Sequence, residues 1–409
     1  MQRSSIAVLH PQMGSGGSES VALWAIEALK GHAAVSLITG GPVDLARLND
    51  YYGTNIDAGE ISIRRAPMPL GLRRTAKFAG LRGAFFQRYV RRVAPDFDLM
   101  ISAYNVCDFG APGIQLIADF SFMETWRSQL DPSLAGHRRW WYGDSPLRRA
   151  YLGLGNLIST SDPEAWKSNL TLANSRWAAA LLQEKFGVES RVLYPPVAGD
   201  GPAVPWAQRE NGFVCIGRVV PEKRMDAVIR ILEKVRQAGH DVHLHILGGV
   251  DDSDFGRKIK LMAGQHSNWV FLEGWVAGRK KDALITAHRF GINGRENEPF
   301  GIAPAEMVKD GCITFVPDGG GQTEIVDHPM LTFKDEAEAA QKICTVLSSV
   351  TLQESLRRHL AEQALKFSVE NFTAGFRQVV FEFLAEKQSA SGHDFSRAVR
   401  SRFSRAFRP

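Results

Sequence analysis

Short apolar runs recur along this chain, several of them followed by glycines or prolines and then by a stretch with helical spacing. The first series of runs occupies residues 6–9, 35–38, 99–101, 114–118, 170–174 and 191–194. The second occupies 213–216, 242–247, 269–272, 290–293 and 313–316. Short runs that are mostly apolar suit strands buried on both faces, as in parallel sheets covered by helices. The pattern predicts an α/β chain with two doubly wound, Rossmann-like halves. At 409 residues the chain is too long for one ordinary core, so two domains are expected in any case. The expected boundaries are an N-terminal domain over 1–197 and a linker over 198–211, rich in Gly, Pro and Ala. A C-terminal domain over 212–366, a last helix over 367–388 and a basic tail over 389–409 follow.

Hydrophobic residues make up 44% and charged residues 23%, the proportions of a soluble globular protein. No uninterrupted apolar run is long enough to span a bilayer, and the first ten residues lack the apolar run of a signal peptide. Cys107, Cys215, Cys312 and Cys344 lie far apart and read as reduced residues, so a cytoplasmic protein is expected. The net charge is +5, unevenly spread. Residues 61–92 contain nine Lys and Arg and no acid, and the last sixteen contain five Arg and one Asp. Both blocks favour an anionic surface. Residues 77–92 read as a helix with Phe78, Leu81 and Phe85 on one side, either packed on a sheet or pressed on anionic lipid. The tail spaces four apolar residues every four positions among arginines, as a membrane-ordered helix or a disordered segment. No aromatic-basic RNA motif is present, so no nucleic-acid partner is expected.

The chemistry concentrates in four places. Gly14-Ser-Gly16-Gly17-Ser-Glu19 links a strand to a helix, which lets a ligand approach the backbone. A dinucleotide fingerprint is incomplete there, because Glu19 replaces the third glycine and no acid ends the second strand. Asp119 ends a strand and is placed either for a cleft or as a helix cap. Arg218 and Lys223 flank a strand-to-helix turn, where cations and amides can clamp a diphosphate. In the stretch 298–324, Glu298 and Glu306 stand eight positions apart around Phe300-Gly301-Ile302. Pro304 suits a first helical turn and Gly311 a helix end, so amides near 300–303 form an anion site. Carboxylates beside it accept sugar hydroxyls well. Asp96-Phe-Asp98 could hold a metal-bound nucleotide, but before a strand a turn is the better reading. His243 and His245 share a strand face and read as packing, with no third ligand nearby, so no metal site is expected.

Together these motifs resemble the retaining glycosyltransferases of family 4. The resemblance covers most of the chain. It rests on Gly16-Gly17-Ser-Glu19, Leu172-Ala-Asn-Ser-Arg176, Tyr194-Pro-Pro-Val197, Gly217-Arg218 with Pro221-Glu-Lys223, and Glu298-Pro-Phe-Gly-Ile with Glu306. The Asn297-Glu298 pair and the Tyr-Pro-Pro are most similar to mannosyltransferases that extend lipid-linked oligosaccharides. The resemblance implies a GT-B fold, with two Rossmann-like domains facing across a cleft and a final helix crossing back to the first. Gly16 and Gly17 would form the first glycine loop of the donor site. Arg218 and Lys223 would hold the donor diphosphate. Glu298 and the amides of Phe300, Gly301 and Ile302 would hold the sugar and phosphate, Glu306 the ribose, and Trp275 and Val276 would meet the base. Catalysis would rest on Glu298, Arg218 and Lys223. The family's histidine after the strand at 114–118 is absent, and Asp119 is the candidate to stand in. The implied reaction moves a sugar from a nucleotide diphosphate to a hydroxyl of a glycan or lipid-linked glycan, with no cofactor and no metal, on the inner membrane surface. An inverting GT-B enzyme, a sugar-nucleotide epimerase and a basic membrane-surface module remain as alternatives.

Overall fold

The computed structural model describes residues 3–73, 78–123, 146–199, 201 and 203–389. The basic tail from residue 390, Arg74 and Lys77 of the basic block and most of the Trp- and Arg-rich stretch (124–145) lie outside the described residues. The chain divides into two compact units. Of the described residues, those up to 196 and those of 370–389 form one unit, and those of 197–369 form the other.

The first unit holds β1 (Ser5–Leu9), β2 (Ala34–Thr39), β3 (Ile61–Arg65), β4 (Leu99–Ser102), β5 (Ile114–Ile117), β6 (Leu170–Ala173) and β7 (Arg191–Val192). They form one parallel sheet in the order β3-β2-β1-β4-β5-β6-β7. Chain order reverses between β1 and β4, the switch point where open α/β sheets place ligands. The apolar runs are buried because helices cover both faces, as the absence of alternation requires. Strand β3 was not expected, since Ile-Ser-Ile-Arg-Arg carries charge. It lies at the sheet edge, where charges are tolerated, and Arg64 pairs with Asp96 at 2.7 Å and covers the Phe97 ring. Asp98 accepts the Ser5 amide at 2.8 Å. The two carboxylates of Asp-Phe-Asp therefore have separate partners, and the tight turn Ala94–Asp96 before β4 fits the turn reading.

Helix Ala79–Val93 turns a different face inward from the one expected. Ala84, Phe86, Val90 and Val93 are buried, whereas Phe78 is 54% exposed and precedes the helix at φ 59°. The side with Leu81 meets helix Pro146–Ser159, whose Tyr151 hydroxyl accepts the Leu81 amide at 3.2 Å. The last helix, Val369–Ser389, belongs to the first unit. Phe372, Phe376, Val380 and Phe383 share a core with Ile6, Ile26 and Leu29. Arg377 Nε donates to the carbonyl of Ala28, and Arg191 pairs with Glu382 at 2.9 Å. Each fully buried phenylalanine here is worth about 3–5 kcal/mol against truncation to alanine.

The second unit holds β8 (Glu210–Ile216), β9 (His243–Leu247), β10 (Val270–Gly274), β11 (His288–Ile292), β12 (Ile313–Pro317) and β13 (Thr332–Phe333). The order is β10-β9-β8-β11-β12-β13, again parallel, with its switch point between β8 and β11. Phe213 and Phe290 stack at 5.0 Å in its core. Strand β8 starts at Glu210, inside the stretch read as a linker. Trp206 is the physical reason: its ring packs edge-on against Phe290 at 6.0 Å and lies under the Arg289 and Arg357 guanidiniums.

The histidine reading also needs correction. His243 and His245 have a third neighbour, His288, whose Nε2 lies 3.1 Å from His243 Nε2. It comes from β11, 45 positions along the chain, which no local spacing reveals. All four cysteines are free, and Cys107, Cys215 and Cys312 are buried. Among the described residues no helix is long and apolar enough to cross a membrane.

Candidate active site

In the second unit the expected site residues leave the carboxyl ends of neighbouring strands. Gly217 follows β8, and its φ of 150° starts a turn through Pro221–Lys223 into helix Met225–Gln237. Gly248 follows β9, and a Cβ there would lie 1.8 Å from the Gly217 carbonyl oxygen, so the two loop starts touch through backbone. Lys223 folds back under this turn. Its Nζ donates to Glu298 Oε2 at 2.7 Å, and Arg295 Nη1 lies 3.2 Å from Glu298 Oε1. The Lys223 and Glu298 side chains are 18% and 12% exposed, so this is a largely desolvated cluster of two cations and one carboxylate. Burial alone pushes the Glu298 carboxyl up, but Lys223 and Arg295 outweigh it and hold it below the usual range. A depressed carboxyl stabilises the fold above the ordinary carboxylate range and loses that contribution as pH falls through its lowered value. Arg218, by contrast, is 80% exposed, and its nearest carboxylate, Glu222, is 3.9 Å away.

Helix Ile302–Lys309 begins beside Glu298. Gly301 caps it at φ 103°, and Phe300 is buried against Phe367 at 5.4 Å. Pro304 sits in the first turn and Gly311 at φ 83° just beyond the end, as expected. The Ala305 amide bonds the Gly301 carbonyl, and the two amides before it, of Ile302 and Ala303, are of the kind that helix starts leave for an anion. Glu306, one turn in, is held by Lys281 Nζ at 2.8 Å. Val276 packs on the cluster of Ile285 and Met307, while Trp275 beside it is 62% exposed at the end of β10.

Sequence reasoning missed the supports. The Gly321 amide donates to the Glu298 carbonyl at 2.8 Å, and Gly320 bridges to Glu298 in parallel fashion. Buried Gln322 donates from Nε2 to the Arg295 and Gly319 carbonyls and accepts from Asn293 Nδ2 at 2.6 Å. Gln322 stands in the motif stretch and Arg295 three places before Glu298, so both were visible in the sequence but had no stated task. Asp310, at the end of the same helix, is pushed up to about 7 by burial and by Asp282 and Glu306. A carboxyl raised from its unfolded value costs stability as pH rises from about 4 to about 7. Asp310→Asn removes that cost, so its Tm should match wild type near pH 4 and exceed it by a few degrees at pH 8. Thermal denaturation across that range measures it, and a constant gap would refute it.

Gly16, Gly17 and Asp119 lie in the first unit. Gly16 caps helix Gly17–Leu29 without a side chain, and Glu19 braces the loop by accepting from the Gly14 amide at 3.2 Å. A Cβ on Gly16 would lie 2.7 Å from Glu19 Oε2, so the acid takes the space that a third glycine would have left. Asp119 Oδ1 accepts from Asn105 Nδ2 at 2.7 Å and from the Ser121 amide at 2.9 Å. Asn105 in turn accepts the Ala118 and Asp119 amides. Asp119 thus braces the loops that end β4 and β5.

Two parallel doubly wound sheets that superpose on GT-B structures give this chain the GT-B fold, and the family match over its second unit marks it as a glycosyltransferase. Residues 202–367 match the family described as glycosyl transferases group 1. Over 93% of its length the chain is 24% identical to the mouse alpha-1,3/1,6-mannosyltransferase ALG2, of which it covers 93%. It is 26% identical over half its length to a Neurospora crassa GDP-Man:Man(3)GlcNAc(2)-PP-Dol alpha-1,2-mannosyltransferase, of which it covers 43%. Among solved structures, WaaG, a glycosyltransferase involved in lipopolysaccharide biosynthesis, superposes with a TM-score of 0.67 at 14% identity, covering 92% of this chain and 99% of that one. Anabaena HepE in complex with UDP and glucose gives 0.64 at 15% identity, covering 93% and 99%.

Proposed function

We propose that this protein transfers a mannosyl group from GDP-mannose, with retention, to a hydroxyl of a lipid-linked glycan. The observation that carries the reading is the Lys223–Glu298–Arg295 cluster at the start of helix Ile302–Lys309. The similarity to ALG2 supports mannose, and that to a GDP-Man:Man(3)GlcNAc(2)-PP-Dol alpha-1,2-mannosyltransferase supports the base and the acceptor class. When the donor arrives, Lys223 and Arg218 take its diphosphate together with the amides of Phe300, Gly301 and Ile302. Glu298 then accepts hydroxyls of the transferred sugar, and Glu306 accepts those of the ribose. The bond from the anomeric carbon to the diphosphate breaks, and its electron pair goes to phosphate oxygen. The acceptor oxygen attacks on the same face, and its proton passes to that phosphate oxygen, so no separate base is needed. Cations at the departing phosphate stabilise charge that appears only in the transition state. Asp119 acts by positioning the loops after β4 and β5. Transfer needs no metal, because Arg218, Lys223 and the helix amides supply the neutralising charge.

The acceptor's lipid implies work at a membrane surface, from the cytoplasmic side. A hollow in the first unit, lined by Pro67, Met68, Pro69, Phe85, Arg88, Tyr89 and Arg92, joins apolar surface to arginines and suits a phosphorylated lipid end. One assay tests the whole reading: UDP-, GDP- and ADP-sugars are offered with a lipid-linked glycan in vesicles, with and without EDTA. GDP-mannose should be the donor, the product should keep the anomeric configuration, and EDTA should change turnover little. Exclusive use of another donor, an inverted product or abolition by EDTA would each overturn the corresponding part.

A further inference from the structure

The far edge of the second sheet carries a separate constellation. Glu210, His243 and His288 are the first residues of β8, β9 and β11, the ends opposite to those that carry Arg218 and Glu298. Strands of five to seven residues put the two edges about 15–20 Å apart. His243 and His245 lie two positions apart on one face of β9. Strand β8 runs between β9 and β11, and its residue paired with His243 is Gly212. A Cβ at Gly212 would fall 2.1 Å from His243 Nε2 and 2.5 Å from its Cδ2. Glycine at this point lets imidazoles from β9 and β11 meet over the strand that separates them.

They do meet. His243 Nε2 and His288 Nε2 are 3.1 Å apart, and the His245 and His288 ring centres are 4.6 Å apart. One ring nitrogen from each of the three lies within 4.8 Å of the others. The remaining nitrogens are arranged as metal ligands require. His288 Nδ1 faces the Leu284 carbonyl at 2.6 Å, and only a protonated Nδ1 can bond there, which leaves Nε2 with its lone pair. His245 Nδ1 faces Glu273 Oε1 at 2.8 Å, the carboxylate–histidine pairing that orients metal-binding imidazoles. Glu210 Oε2 lies 3.3 Å from His243 Nε2 and offers an oxygen as a fourth ligand. His288 is only 1% exposed, so its ring is held in place by the surrounding strands. Zinc–nitrogen bonds of about 2.0–2.1 Å in a tetrahedron set ligand nitrogens roughly 3.3 Å apart, close to the His243–His288 spacing.

We propose that His243, His245 and His288, completed by Glu210, bind one Zn²⁺ ion that ties β8, β9 and β11 together at the strand starts. The ion has a structural part and stands apart from sugar transfer. Its binding energy adds to the stability of the second unit, because an unfolded chain offers no preformed site.

The test uses the full chain, stripped with EDTA, dialysed and titrated calorimetrically with ZnCl₂. One Zn²⁺ per chain at micromolar or tighter affinity is expected. Tm should rise by about 5–10 °C at a hundredfold excess over the dissociation constant. Co²⁺ in place of Zn²⁺ should give the intense visible bands of tetrahedral coordination. His245→Gln and His288→Gln should each lower zinc affinity at least about tenfold. The partly exposed His245 serves if the buried His288 variant does not fold, with unchanged metal-free Tm as the control. Binding only at millimolar zinc, absent tetrahedral cobalt bands, or equal affinity in the His245→Gln variant would overturn the proposal and leave a histidine–histidine hydrogen bond in its place. Sugar transfer by the stripped protein is a separate readout, so failure of this site and failure of the proposed activity are distinguishable.

Discussion

Replacing Lys223 with alanine lowers kcat by about 10²–10³-fold, the usual loss when one preorganised group facing developing charge is removed. Lys223 has two tasks. In the proposed reaction it meets the departing diphosphate, and in the free protein its Nζ holds Glu298 Oε2 at 2.7 Å. Without it Glu298 keeps, among the described residues, Arg295 at 3.2 Å. A buried acceptor left short of a partner costs about 1–3 kcal/mol, so the variant also unfolds at lower denaturant. The carboxyl of Glu298, held low by Lys223 first and Arg295 second against burial, moves up in the variant. The acid limb of the kcat/KM profile therefore shifts to higher pH. Lys223→Arg keeps the charge and should recover part of the rate. Steady-state kinetics across pH measure all three effects. A variant within threefold of wild type at every pH would remove Lys223 from the mechanism.

Gly320→Ala has the second-largest expected effect, although the residue carries no chemistry. Its φ is 78°, and an added Cβ would lie 2.3 Å from the Glu298 carbonyl oxygen and 2.6 Å from its nitrogen. No rotamer relieves a clash between backbone atoms. Left-handed backbone costs an L-residue about 1–2 kcal/mol before any clash is counted. The expected loss is about 2–4 kcal/mol, and Glu298 is displaced with the bridge it forms to Gly320. A misplacement near 1 Å in a positioning group costs about a hundredfold in rate. Gly264→Ala is the matched control. It lies in helix Asp254–Gln265 with nothing within 4 Å of the added carbon, and it should stabilise by up to about 1 kcal/mol. Denaturant unfolding and transfer assays on both variants separate local strain from a general intolerance of alanine.

The contrast between these residues shows what the sequence disclosed. Helix Ile302–Lys309 was legible because Pro304 and Gly311 mark its ends through local backbone rules. Most strands were legible because parallel sheets write continuous apolar runs. Strand β3 was not, since an edge strand tolerates Arg64 and Arg65. The task of Gly320 was hidden, because its reason is the approach of another backbone segment. The inward face of Ala79–Val93 is not the one that Phe78, Leu81 and Phe85 mark in the sequence, because packing buries Ala84, Phe86 and Val90. Asp119 was visible as a lone carboxylate, but its bonds to Asn105 and Ser121 depend on β4 and β5 lying side by side. His288 joins His243 only through the strand order β9-β8-β11.

The central claim is that a nucleotide-diphosphate sugar is held at the carboxyl edge of the second sheet by Arg218, Lys223 and Glu298. Calorimetric titration of GDP-mannose into wild type, Arg218→Ala, Lys223→Ala and Glu298→Ala tests it most directly. Charge-assisted hydrogen bonds of about 1.5–3 kcal/mol correspond to roughly 10–150-fold in affinity. Wild type should bind one equivalent, and the Lys223 and Arg218 variants should each bind at least about tenfold more weakly. GDP alone should bind the Glu298 variant about as well as wild type, since that carboxylate is assigned to the sugar. Equal GDP-mannose affinity in all four proteins would contradict the account.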